Sequence, residues 1–239
     1  LTLRVPSRYV VWATGEHVNR AEVFTEPILK RIFNAEASDE MVTIIDSSDY
    51  RANRKITRGQ EINEWHFVGL GVPDMALAMS DHYMWQSTSL AVDKTTSRRI
   101  RTRVDAVFNP AHQDYFMVLQ DARKTIEAMS FRFPKWPFPY SHETVFDGLD
   151  QMEYPMMAND NPIDDRLESI ELTDHEIFHT LFPFYMGINE TKYGWMDEGW
   201  ATLGEWLISP MIDSAIVDQY GLTRCERAAG TESDGVIRT

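Results

Sequence analysis

A single cysteine, Cys225, stands among 239 residues, so no disulfide closes within the chain and a disulfide-built secreted scaffold is excluded. Long apolar runs are missing too: nothing approaches the ~18 consecutive apolar residues that a membrane-spanning helix needs. Positive charge is scarce, with Lys+Arg 23 against Asp+Glu 37 and a formal charge of −14. Binding of DNA or RNA rests on neutralising phosphates with basic groups, so a nucleic-acid partner is not expected. Arg98, Arg99, Arg101 and Arg103 form the one local basic cluster and read as a solvated strand face. Neither an internal repeat nor a low-complexity tract is found, and no signal-peptide pattern opens the chain. Without a starting Met, it reads as an excised or processed piece. The compartment stays open, with an exported or envelope setting favoured over the cytoplasm.

What is present suffices for a core: 43% of residues are hydrophobic and 12% aromatic, enough for one large domain or two small ones. Residues 1–93 have a strand-like texture. Leu1, Leu3 and Val5 alternate with polar positions, Tyr9 to Trp12 is an apolar run ended by Ala13-Thr14-Gly15, and Met41–Ile45 and Trp65–Val68 are further short strands. Beyond Lys94 one more strand puts Ile100, Thr102, Val104 and Ala106 on one face and Arg99, Arg101 and Arg103 on the other. Helical spacing then takes over at Asp114–Met129, and Pro134, Pro137 and Pro139 deny regular structure to the connection that follows.

A third helix is predicted from Asn161-Pro162 to Pro183, with Leu167, Ile170, Asp174, Ile177, Phe178 and Leu181 along one stripe. A fourth is predicted over Met196–Ile208, stopped by Pro210. Its Gly199 and Gly204 each cost about 1 kcal/mol relative to Ala, a cost best accepted where another backbone comes close.

Inside the third helix, His175-Glu176-Ile177-Phe178-His179 matches H-E-x-x-H. Residues four apart share a helix face, about 5–6 Å between Cβ atoms, so both imidazoles reach one ion at zinc–nitrogen distances of ~2.0–2.1 Å. Glu176 points about 100° away, off the ion but near a water held on it, which is where a general base belongs. With 7 His in the chain a chance match is expected on the order of 0.01–0.02 times. Two histidines leave a tetrahedral zinc one protein ligand short. The H-E-x-x-H-x-x-G-x-x-H variant fails, because Phe182 and Tyr185 stand where it needs Gly and His. After the spacer of residues 180–197, however, Glu198 opens the next helix and its carboxylate can return to the metal. Glu205, two turns on, faces nearly the same way and is placed to accept a hydrogen bond from a ligand imidazole. His17, His66, His82, His112 and His142 are scattered and read as structural or exposed.

The His175–His179 run, the spacer and Asp197-Glu198-Gly199 resemble the zinc gluzincin peptidases of the aminopeptidase N and leukotriene hydrolase type. Gln151-Met152-Glu153-Tyr154 is similar to that family's Gly-x-Met-Glu-Asn motif, whose backbone aligns the peptide and whose Glu grips the substrate's free α-amine. The resemblance spans nearly the whole chain. It implies an α+β architecture: the C-terminal part of a β-sandwich domain over residues 1–93, then the first portion of a thermolysin-like catalytic domain over residues 94–239. It further implies one zinc per chain held by His175, His179 and Glu198, with Glu176 as general base and Glu205 supporting a ligand. Gln151, Met152 and Glu153 would bind a peptide or protein substrate, Glu153 as the amine anchor. Asp150-Gln151 and Tyr154 depart from the motif, and their side chains are expected to narrow the cleft or change its preference. Met152, Met156 and Met157 are expected near the cleft floor. The family's oxyanion-stabilising tyrosine falls beyond Thr239, and Tyr185, Tyr193 and Tyr220 do not take its place. A zinc endopeptidase and a non-catalytic module of the same fold are the alternatives.

Overall fold

A computed structural model describes residues 1–51, 55–59, 61–95 and 100–217. Arg98, Arg99, Tyr220 and Cys225 lie outside the described residues. The alternation at the start becomes β1 (Thr2–Pro6), and the apolar run becomes β2 (Val10–Ala13), all four of whose residues are buried. The turn after it passes through Gly15 at φ +94°, where a Cβ would lie 2.6 Å from the backbone of Val68 and Gly69. β3 (Glu16–His17) and a single turn, α1 (Arg20–Val23), follow.

A helix then appears where the sequence reading had only strands. α2 (Glu26–Ala37) opens with Thr25-Glu26-Pro27 and buries Ile28, Leu29, Ile32 and Ala35. Proline in the first turn costs no hydrogen bond, and an acid there suits the helix dipole. β4 (Val42–Ile45), the short α3 (Ser47–Arg51), β5 (Ile62–Val68), β6 (Leu77–Ser80) and β7 (Met84–Asp93) complete this part.

β8 (Ile100–Phe108) pairs antiparallel with β7 across residue 93, so one sheet takes strands from both textures of the sequence. α4 (Tyr115–Phe131) crosses over to β9 (His142–Asp147), which lies parallel to β8. β10 (Met152–Tyr154) and β11 (Met157–Asp160) form an antiparallel pair, and the six-stranded order is β10-β11-β9-β8-β7-β4, with β10 outermost. α5 (Arg166–Phe178) and α6 (Gly194–Ile212) close the described chain. No helix among the described residues is long and apolar enough to cross a membrane.

Strand alternation divides the core in two. Leu90, Val92, Val104, Ala106 and Val145 pack with α4 and with Ile177 and Phe178 of α5. Trp85, Val107 and Met157 face the other way, into the cluster of Trp12, Trp65 and α2. The arginine face of β8 is not the solvated surface expected from sequence. Arg103 is half-buried, 2.9 Å from Asp105 and 3.2 Å from Glu36, and Arg101 pairs with Asp39.

Three helices meet on Asp174, the polar member of the α5 stripe. Its carboxyl is fully buried and accepts hydroxyl hydrogen bonds from Thr125 of α4 and from Ser209 of α6 (2.6 Å). At the start of α5, Arg166 adds a bidentate pair with Asp121 of α4, both contacts at 2.6 Å. These bonds fix the rotation of α5, and therefore where its histidines point.

Gly204 fixes how close α6 comes. A Cβ there would sit 2.3 Å from the ring of Phe178, which is buried and stacked on Phe133. The partner is a ring rather than a backbone, and Gly194 and Gly199, the other glycines of α6, meet nothing within 4 Å. Gly204→Ala is expected to cost about 1–3 kcal/mol through overpacking. Urea unfolding measures this, and a loss below about 0.5 kcal/mol, the usual scatter of surface changes, would mean that the helices are not in contact here.

Candidate metal centre

α5 starts later than Asn161-Pro162. Its cap is Asp165, whose side chain accepts from the amides of Leu167 (2.9 Å) and Glu168 (3.2 Å). The helix ends at His179, which still has helical φ/ψ, so His175 and His179 keep their one-turn spacing. The chain then breaks from helical geometry at Phe182 (φ −134°, ψ 116°), passes through Pro183, and turns back into α6. Pro210 does not stop α6, which runs on to Ile212; a proline this near the end removes little of the helix ladder.

This reversal brings Glu198, in the second turn of α6, against the two histidines of α5. Nε2 of His175 lies 3.2 Å from Nε2 of His179 and 3.2 Å from Oε2 of Glu198, and the third side of the triangle measures 3.8 Å. Ligands on a tetrahedral ion at ~2.0–2.1 Å stand roughly 3.3 Å apart, so the three atoms fit one face of a zinc tetrahedron. Two imidazole nitrogens and a carboxylate oxygen are also the donor set zinc prefers. Behind them, Nδ1 of His175 lies 3.1 Å from Glu205. Nδ1 of His179 donates to the Phe182 carbonyl at 3.0 Å, and Oδ1 of Asp197 lies 2.7 Å from the same nitrogen.

Glu176 is buried beside this triangle, and its Oε2 has no hydrogen-bond partner among the described residues. Burial, reinforced by the nearby Asp160 carboxyl, pushes it up to about 8. Asp160 itself is pushed up to about 7 by burial, although Thr173 donates to it at 3.1 Å. Burial opposes a charge on His175, but its hydrogen bonds to Glu198 and Glu205 outweigh that and push the imidazole up to about 10. The His175 hydrogen bond holds Glu198 below the usual carboxylate range. The centre therefore holds its protons tightly in the absence of a cation.

Glu153, on the outermost strand β10, places Oε1 4.0 Å from Nδ1 of His179, and burial raises its carboxyl. Gln151, Met152 and Glu153 form one wall of a cleft of about 460 Å³ whose floor carries His175, Glu176, Glu198 and Glu205. The other motif residues are arranged differently from the expectation. Tyr154 packs against the Trp12–Trp65 core instead of lining this cleft, and Met156 and Met157 are buried in opposite cores. Of the three methionines only Met152 reaches the cleft.

The scattered histidines behave as expected from sequence. His17 stacks on Trp65 and Phe67, His142 is buried, and His66, His82 and His112 pair with Glu64, Asp81 and Asp147. Sequence reasoning missed Asp197. It is adjacent to Glu198, and nothing in residue spacing says which of two neighbouring acids meets which side of an imidazole.

No protein-family profile matches the chain, and no curated protein sequence does. Solved structures are similar. The M1 zinc metallopeptidase from Deinococcus radiodurans superposes with a TM-score of 0.55 at 12% identity, over 96% of this chain and 44% of that one. A single-residue variant of that metallopeptidase gives 0.55 at 13% identity, with the same coverage. At such identities the likeness is one of fold, and the chain spans under half the length of those structures.

Proposed function

We propose that the chain carries the zinc centre of a metallopeptidase and that its activity is that of an aminopeptidase. The observation that carries this reading is the triangle of His175 Nε2, His179 Nε2 and Glu198 Oε2, with sides of 3.2, 3.2 and 3.8 Å, beside a buried glutamate free to act as a base. The fold likeness to zinc metallopeptidases supports it.

Zinc held by these residues would acidify a coordinated water and polarise the scissile carbonyl. The chain's own groups supply the rest. Glu176 accepts a proton from the attacking water on its free Oε2 and passes it to the leaving amine. In the metal-free chain burial raises this carboxyl, which favours its taking up a proton. The outer edge of β10, which pairs with no further strand among the described residues, offers its backbone groups to an extended peptide, and Glu153 on that edge offers a half-buried carboxylate to a cationic α-amine. Glu205 holds the ring of His175 in place from behind.

Metal analysis together with a matched pair of peptides tests the reading. One zinc per chain is expected, with hydrolysis of a free-amine peptide and rejection of its N-acetylated counterpart. Equal cleavage of both peptides would assign the cleft to an endopeptidase. Well under one zinc per chain would leave a non-catalytic module.

A further inference from the structure

Asp197 is 5% exposed, and its Oδ1 receives no hydrogen bond of good geometry among the described residues. A buried carboxylate with no donor is expensive, by several kcal/mol for an ion left unpaired. The nitrogen within reach is Nδ1 of His179, 2.7 Å away. That nitrogen carries one proton, and the Phe182 carbonyl competes for it at 3.0 Å. A charged acceptor makes a hydrogen bond about twice as strong as a neutral one. The other imidazole of the triangle has the same kind of backing, with Glu205 3.1 Å from Nδ1 of His175.

We propose that Asp197 is a positioning residue: its buried carboxylate accepts a hydrogen bond from Nδ1–H of His179 and so presents the unprotonated Nε2 of that ring to the metal. The inference rests on the zinc reading above and adds a residue to it. Consecutive residues on a helix point about 100° apart, so Asp197 and Glu198 reach different sides of the histidine pair from adjacent positions of α6. Glu205, two turns further on, completes the set. One helix thus supplies a ligand and the backing for both rings.

Asp197 also lies in the first turn of α6, where a negative charge suits the helix dipole whatever happens at the metal. The test separates the two roles by comparing Asp197→Ala, Asp197→Asn and the unmodified chain, with His175→Ala as control. Zinc affinity is measured by chelator competition, and the visible spectrum of the cobalt(II)-loaded protein reports ligand geometry. Asp197→Ala is expected to weaken zinc about 10–100-fold and to shift the cobalt bands, as loss of such backing does. Asp197→Asn keeps an oxygen acceptor without the charge and is expected to recover the cobalt bands while restoring only part of the affinity.

An alanine variant with unchanged affinity and spectrum overturns the proposal. So does an alanine variant whose metal-free form unfolds earlier while its cobalt spectrum stays the same, since that is a helix-end effect. If asparagine shifts the cobalt bands as far as alanine does, ring orientation is not what Asp197 supplies and the assignment falls. Equal zinc binding by the unmodified chain and His175→Ala would instead bring down the zinc reading itself.

Discussion

Replacing Glu176 by glutamine is expected to leave zinc at one per chain and to lower peptide hydrolysis about 10²–10⁴-fold, the usual contribution of a positioned acid–base group. Glutamine matches the shape of glutamate, and Glu176 is off the ligand triangle, so neither the fold nor the metal should notice the change. The base, however, is lost. Oε2 of Glu176 is buried and has no partner among the described residues, so the amide that replaces it would disrupt no internal hydrogen bond there. Burial disfavours the charged form of Glu176 and raises its carboxyl to about 8, so replacing it by a neutral amide should if anything stabilise the metal-free chain near neutrality. Turnover and zinc content measured on the same preparation check the prediction. Hydrolysis within a few-fold of the unmodified chain would remove Glu176 from the mechanism, whatever the metal content.

The contrast between what residue spacing foretold and what it did not has a physical reason. The four-residue spacing of His175 and His179 fixes their shared face by helix geometry alone, and the spacer is long enough for only one reversal before Glu198. Those contacts are close to local, and they appear at 3.2 and 3.8 Å as the spacing leads one to expect. Helix ends are less legible in the sequence. Asn161-Pro162 looked like a start, but Asp165 caps α5 because its side chain reaches the amides of Leu167 and Glu168. In residues 1–93 the short apolar runs point to strands, whereas Thr25-Glu26-Pro27, with proline and an acid in the first turn, opens a helix whose apolar positions are spread over three turns.

Contacts set by tertiary rotation lay beyond sequence altogether. Tyr154, at the inner end of β10, packs on the far core with Trp12 and Trp65, so it does not narrow the cleft as its place in the motif led one to expect. Asp197 reaches His179 only because Gly204 against Phe178 and Ser209 against Asp174 set the depth and rotation of α6. Arg101 and Arg103 are paired rather than solvated because α2, which the sequence reading lacked, brings Glu36 and its flanking loop brings Asp39 over that face of β8.

Zinc affinity is expected to climb steeply with pH, and the sign follows from the metal-free centre. Zinc binds the neutral imidazole, while His175 without metal keeps its proton up to about pH 10. Below that pH every zinc that binds must displace this proton, so the apparent association constant rises about tenfold per pH unit for each proton released. From pH 6 to pH 8 that amounts to about 100-fold for His175 alone. His179, which Asp197 and Glu153 also raise against the effect of burial, steepens the rise further. Glu198 adds nothing, since its carboxylate is held below the usual range and is already ionised. The same shift acts on folding with the opposite slope. The stability that protonated His175 lends the metal-free chain is fully present below about pH 6.5 and disappears as the pH rises through about 10. Zinc titrations in two buffers of different ionisation enthalpy count the protons directly. One or more released per zinc at pH 7 is the expected result, and it should fall in His175→Ala. A release near zero, with an affinity flat from pH 6 to 8, would mean that the imidazoles of His175 and His179 are not what holds the ion.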